Sequence, residues 1–110
     1  MSFSVHCATA DAETVVRVAG EVDIDTAPAL RTSLGAAIRS GGPVVLDLSG
    51  VTFMDSSGFG VLAAAQRQAG VLGGTLRLRG VSERIHQLLT LLGLDTVLTI
   101  EPPDPSADVA

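Results

Sequence analysis

Lysine is missing from this chain: all seven basic residues are arginines. That absence removes Schiff-base chemistry, the phosphate-gripping lysine of a P-loop and any lysine general base. Tryptophan and tyrosine are missing too, and aromatics reach only 3% of the sequence. Recognition of single-stranded nucleic acid by stacked bases has nothing to build on. Twelve acids against seven bases leave a net charge of −5, the wrong sign for a phosphate backbone, so no nucleic acid is expected as a partner. Cysteine occurs once, at Cys7. An internal disulfide is therefore impossible and a reducing compartment is the simpler reading. Cys7 sits in a strand-like segment and is expected to be a small core residue. No apolar run approaches the roughly 18 residues of a membrane span, and no basic-then-apolar leader opens the chain. A cytoplasmic protein without a membrane partner is expected.

The residues present describe one folded domain. At 110 residues and 46% apolar composition, the chain can bury its own core but cannot divide into two. Residues 3–9 alternate loosely and residues 14–19 are rich in β-branched side chains, with a polar loop, Ala10-Asp11-Ala12-Glu13, between them. An antiparallel hairpin is predicted, with Val16 and Val18 on one face and Val15 and Arg17 on the other. A helix-start signal follows at Asp25 or Thr26, with Pro28 in the first turn. Leu30, Leu34, Ala37 and Ile38 then recur at helical spacing until Gly41-Gly42-Pro43 stops the helix.

Residues 44–48 read as a buried strand in which Asp47 is the odd member, and residues 49–53 as a turn region. A helix running to about Ala69 is followed by a strand at 75–79, where Leu76 and Leu78 face inward and Arg77 and Arg79 outward. Ser82 is the expected N-cap of a third helix whose apolar stripe is Ile85, Leu88, Leu89 and Leu92, and Gly93 its stop. His86 lies off the stripe and is read as a surface histidine. A short strand at 97–100 ends the domain. Residues 102–110, with Pro102, Pro103, Pro105 and several acids, are expected to be a flexible tail. The order β-β-α-β-α-β-α-β implies a single α/β domain over residues 1–101. Its sheet is mixed, with an antiparallel N-terminal hairpin followed by β-α units and helices mainly on one face.

Two stretches stand out against this background. The acids Glu21, Asp23 and Asp25 alternate and in an extended segment would point the same way. They are hard-cation ligands without a histidine, and like charges on one loop usually face water, so no metal is expected. The second stretch is Met54-Asp55-Ser56-Ser57-Gly58-Phe59-Gly60. Asp55, Ser56 and Ser57 are all competent to cap a helix, but capping explains only one of the three. Gly58 and Gly60 each weaken a first helical turn by roughly 1 kcal/mol relative to alanine, a cost that close approach of another molecule to the backbone would account for.

Three chemistries compete for these serines. A nucleophile elbow requires glycine two residues before the serine, which neither Ser56 nor Ser57 has, and His6 and His86 form no recognisable triad order. Gly58-Phe59-Gly60-Val61-Leu62-Ala63 matches a dinucleotide fingerprint but lies too far past Leu48 for a tight strand–helix turn. The third is a phosphorylation switch, because free N–H groups and the dipole at a helix start favour an anion. If the helix begins at Ser56 as N-cap, the hydroxyl of that residue is occupied and Ser57 is the freer of the two.

Gly20-Glu21-Val22-Asp23 before one helix, and Leu46-Asp47-Leu48-Ser49-Gly50-Val51-Thr52-Phe53-Met54-Asp55-Ser56-Ser57-Gly58 before the next, resemble the STAS-domain anti-sigma factor antagonists. The resemblance covers residues 3–101. It implies a protein without enzymatic activity or cofactor. Its partner would be an anti-sigma factor that is also a serine kinase, and a phosphoserine phosphatase would reset it. The unphosphorylated form would bind the anti-sigma factor and free a sigma factor; phosphate on Ser57 would abolish that binding. Asp23 matches an acid near the docking surface, and Asp25, Asp55, Ser56 and Gly58 are expected to share that surface with Ser57. The alternative within the same resemblance is an interaction module of a stress-signalling scaffold or transport complex.

Overall fold

The computed structural model of the chain describes residues 3–102. The expected tail, apart from Pro102, lies outside the described residues. Five strands form one sheet in the order β1-β2-β3-β4-β5. β1 (Ser4–Ala10) and β2 (Glu13–Val22) make the antiparallel hairpin, while β3 (Val44–Met54), β4 (Leu76–Arg79) and β5 (Thr99–Ile100) run parallel to β2. The connecting helices are α1 (Ala27–Arg39), α2 (Ser56–Val71) and α3 (Glu83–Leu91), and a 3-10 turn, Leu94–Thr96, precedes β5. Each parallel strand is added on the same side of the last. With right-handed crossovers, that progression places every connecting helix on one face of the sheet.

The covered face holds the core. Val16, Val18, Leu46, Leu48, Leu76 and Leu78 pack there against Leu30 and Leu34 of α1, Leu62 and Ala65 of α2, and Ile85 and Leu89 of α3. The opposite face carries an ionic layer. Arg77 meets Glu13 at 2.8 Å and Glu101 at 3.4 Å, Arg79 meets Glu101 at 3.2 Å, and Arg17 approaches Asp47 at 3.8 Å. Val15 and Val45 lie beneath this layer and are buried as well, sheltered by the stems of the charged side chains beside them.

Several expectations change in the folded chain. Cys7 is exposed, because β1 is the edge strand and lies beyond most of the helical cover. β3 does not stop at Leu48; it continues through Ser49-Gly50-Val51-Thr52-Phe53 to Met54. Two register shifts against β2, between Arg17 and Ala19 and between Gly20 and Glu21, each give β3 an extra residue. Such bulges break the two-residue alternation that marks a strand in sequence, so the segment reads as a turn. In α3, Ser82 caps as expected by accepting from the Ile85 N–H at 3.1 Å, and Gly93 ends the helix region at φ 74°. Leu92 leaves the buried stripe, however, and is 57% exposed.

Candidate functional site

The extension of β3 sets where α2 begins. Asp55 keeps an extended backbone, φ −103° and ψ −171°, and its carboxylate accepts the Ser57 N–H at 2.9 Å. Its carbonyl accepts from the N–H groups of Gly58 and Phe59. Of the three cap-competent residues Asp55 is thus the N-cap, and the condition under which Ser57 would be the freer hydroxyl, Ser56 as N-cap, is not met: Ser56 is already helical. An N-cap needs non-helical dihedrals, and the strand supplies them one residue earlier than the serine pair suggests. Ser56 is exposed and Ser57 half-buried on the first turn, where Asp55 takes the N–H groups of Ser57, Gly58 and Phe59. Position at the helix start does not by itself separate the two hydroxyls.

A second loop closes on the same place. The Asp55 N–H donates to the Val22 carbonyl at 3.1 Å, so the end of β2 and the 23–26 loop stand beside the serines. Glu21, Asp23 and Asp25 do not align along a strand, because β2 ends at Val22. The Asp23 carboxylate turns back to accept the N–H groups of Asp25 at 3.0 Å and Thr26 at 3.1 Å. The Thr26 hydroxyl accepts the Asp23 N–H at 2.9 Å and stands 2.9 Å from the Glu21 carbonyl, which it reaches as donor. These bonds fix the entry to α1, with Thr26 at the N-cap position but not capping through its side chain, and Pro28 in the first turn. Asp25 is exposed. The loop therefore brings Asp23 and Asp25 to the end of the molecule that carries Asp55, Ser56 and Ser57.

The competing chemistries fare differently. His6 pairs with Arg17 in register and so lies on the helix-free face, with the sheet between it and the serines. His86 is exposed on α3, as expected of a surface histidine. The glycines of the dinucleotide match are the third and fifth residues of α2, inside the helix instead of the strand–helix turn. The sheet order contains no reversal, and a reversal creates the crevice in which open α/β sheets hold dinucleotides.

Next to the serines a groove of about 400 Å³ opens between the end of β3 and α3. Asp55 and Ser56 form its lip, Phe59 and Ile85 its floor, and Val51, Phe53, Arg84, Leu88, Leu91 and Leu92 its walls. Sequence periodicity missed this feature. The one signal was Leu91, a large apolar residue adjoining the α3 stripe and outside it.

A family model described as Mlab, STAS domain, matches residues 5–100. The chain belongs to the STAS-domain family. An anti-sigma-B factor antagonist of Bacillus subtilis is 32% identical over 100 residues, covering 91% of this chain and 92% of that protein. The crystal structure of an anti-sigma factor antagonist from Mycobacterium paratuberculosis superposes with a TM-score of 0.78 at 34% identity, covering 98% of this chain and 92% of the other. The Bacillus cell fate determinant SpoIIAA in its phosphorylated form shares the fold, with a TM-score of 0.69 at 22% identity and 98% of each chain covered.

The two glycines of this STAS domain's α2 have different causes. A Cβ on Gly58 would stand 2.5 Å from Met54 Cγ and 2.9 Å from Val22 Cγ1, whereas one on Gly60 would meet nothing within 4 Å. Gly58 is thus explained by internal packing, and close approach of a partner is no longer needed to account for it. Gly58→Ala is expected to destabilise, because overpacking of about 1–3 kcal/mol exceeds a helix-propensity gain of roughly 1 kcal/mol. Gly60→Ala is expected to stabilise by up to about 1 kcal/mol. Urea melts of the two variants check the opposite signs.

Proposed function

We propose that this STAS domain is an anti-sigma factor antagonist. Its unphosphorylated form binds an anti-sigma factor that is also a serine kinase, which frees a sigma factor, and phosphate on Ser57 ends the binding. The observation that carries this reading is the Asp55-capped turn. It holds a serine pair at an open helix start beside the loop of Asp23 and Asp25, in a family whose relatives include an anti-sigma-B factor antagonist. Ser57 is chosen over Ser56 by its place in the Asp-Ser-Ser-Gly motif.

The chemistry belongs to the partner. Its ATP supplies the γ-phosphoryl group, the Ser57 Oγ forms the new P–O bond, the hydroxyl proton passes to a base on the kinase, and ADP leaves. What this chain supplies is position. The Asp55 carboxylate pins the Ser57 backbone, and the positive end of the helix dipole favours the anion that forms there. The product carries about −1.5 to −2 charges at neutral pH on a surface that already holds Asp55, Asp23 and Asp25. A phosphoserine phosphatase resets the residue by hydrolysis: water takes the phosphoryl group as inorganic phosphate and the Ser57 hydroxyl is restored.

The test incubates wild type, Ser56→Ala and Ser57→Ala with the host's anti-sigma factor kinase and ATP, and locates phosphate by mass spectrometry. Wild type and Ser56→Ala are expected to gain one phosphate each. Ser57→Ala is expected to gain none and still to form the complex on gel filtration. Undiminished phosphorylation of Ser57→Ala would sink the assignment.

A further inference from the structure

We propose that the groove between β3 and α3 seats an amphipathic helix of the anti-sigma factor, with its apolar face on Phe53, Leu91 and Leu92 and an acidic side chain on Arg84. This deepens the functional reading above and rests on it. Four observations converge. Asp55 and Ser56 form the lip of the groove, so a kinase whose active site reaches the adjacent Ser57 stands directly over it. Leu91 is 81%, Leu92 57% and Phe53 45% exposed, and all three line one depression, whereas exposed apolar residues without a partner are normally scattered singly. Among the described residues the ion pairs are made by Arg17, Arg77 and Arg79. Arg84, like Arg31, Arg39 and Arg67, makes none, and of these four it alone lines this groove, in a chain of net charge −5. Finally, α3 is 9 residues long, about 13 Å at 1.5 Å per residue, and presents Arg84, Leu88 and Leu91 at the i, i+4, i+7 spacing with which helices meet along a groove.

The arrangement explains why a charge at Ser57 reaches beyond its own contacts. Burial of the leucines requires the partner to close over the lip formed by Asp55 and Ser56, and a phosphate beside that lip must then be desolvated or the apolar contact given up.

The experiment measures affinity for the purified anti-sigma factor kinase by calorimetry, for wild type, Leu91→Gln/Leu92→Gln, Arg84→Glu, Arg84→Lys and Ser57→Asp. The double leucine variant is expected to bind at least about 30-fold more weakly, the weakening that loss of an apolar hot spot produces. Its melting temperature should stay close to wild type, because both side chains are exposed. Arg84→Glu should weaken binding about tenfold and Arg84→Lys little, as expected for one charge pair at a rim. If the leucine variant binds like wild type while Ser57→Asp does not bind, the groove assignment is overturned and the phosphorylation switch stands. If wild type forms no complex, both readings fall together. Light scattering on the chain alone supplies the remaining check. A dimer that the leucine substitutions split would make the groove a self-interface and overturn the proposal.

Discussion

Ser57→Asp is expected to abolish useful binding to the anti-sigma factor while leaving the domain folded. A charge placed in a docking surface that has no counter-charge for it costs about 2–5 kcal/mol, a loss of roughly 30- to 5,000-fold in affinity. The neighbours give the new carboxylate nothing to pair with, since Asp55 caps the same turn and Asp23 and Asp25 stand on the adjoining loop. Within the domain itself the sign is reversed. Residue 57 is on the first turn of α2, where a negative charge gains about 0.3–1 kcal/mol from the helix dipole. Binding is thus expected to fall while thermal stability holds or rises slightly. Calorimetric titration against the anti-sigma factor, paired with a melting curve, separates the two. A variant that loses binding only because it unfolds would show both falling, and full-strength binding by Ser57→Asp would contradict the switch.

Leu62→Ala is expected to have the opposite profile, a large loss of stability from a position that no partner touches. Leu62 is fully buried on the inner face of α2 and belongs to the central cluster with Leu46, Leu48 and Leu34. Truncation removes buried methyl groups and leaves a cavity, at a cost of about 2–5 kcal/mol. For a domain of this size that lowers the melting temperature by roughly 10–20 °C. Differential scanning calorimetry reads it directly. Leu91→Ala, at 81% exposure, serves as the control and should shift the melting point by very little. Two leucines 29 positions apart in a sequence of similar local composition then report opposite functions, one holding α2 in place and the other facing outward.

The strand and helix order was readable because its signals are local. The alternation of Leu76 and Leu78 with Arg77 and Arg79, the Ser82 cap and the Gly93 stop each lie within a few residues of the structure they specify, and each is found in place. The helical spacing of Leu30, Leu34, Ala37 and Ile38 likewise predicts the buried side of α1. The misread positions depend on neighbours distant in sequence. Cys7 looks like a core residue until β1 is known to be an edge. Residues 49–53 look like a turn until β2 is laid beside them and the two bulges absorb the broken alternation.

The serine motif divides in the same way. The sequence by itself determined that a capped helix start carries Asp55, Ser56 and Ser57, because capping chemistry is written in adjacent residue types. The absent lysine likewise leaves this sequence without a residue for Schiff-base or P-loop chemistry. Only the tertiary structure decided which residue caps, since that depended on how far β3 runs against β2. It alone showed that Gly58 makes room for Met54 and Val22, that the Asp23 loop adjoins the serines, and that Phe53, Leu91 and Leu92 gather into one groove. Contacts of this kind join residues tens of positions apart, and no periodicity of 2 or 3.6 residues encodes them.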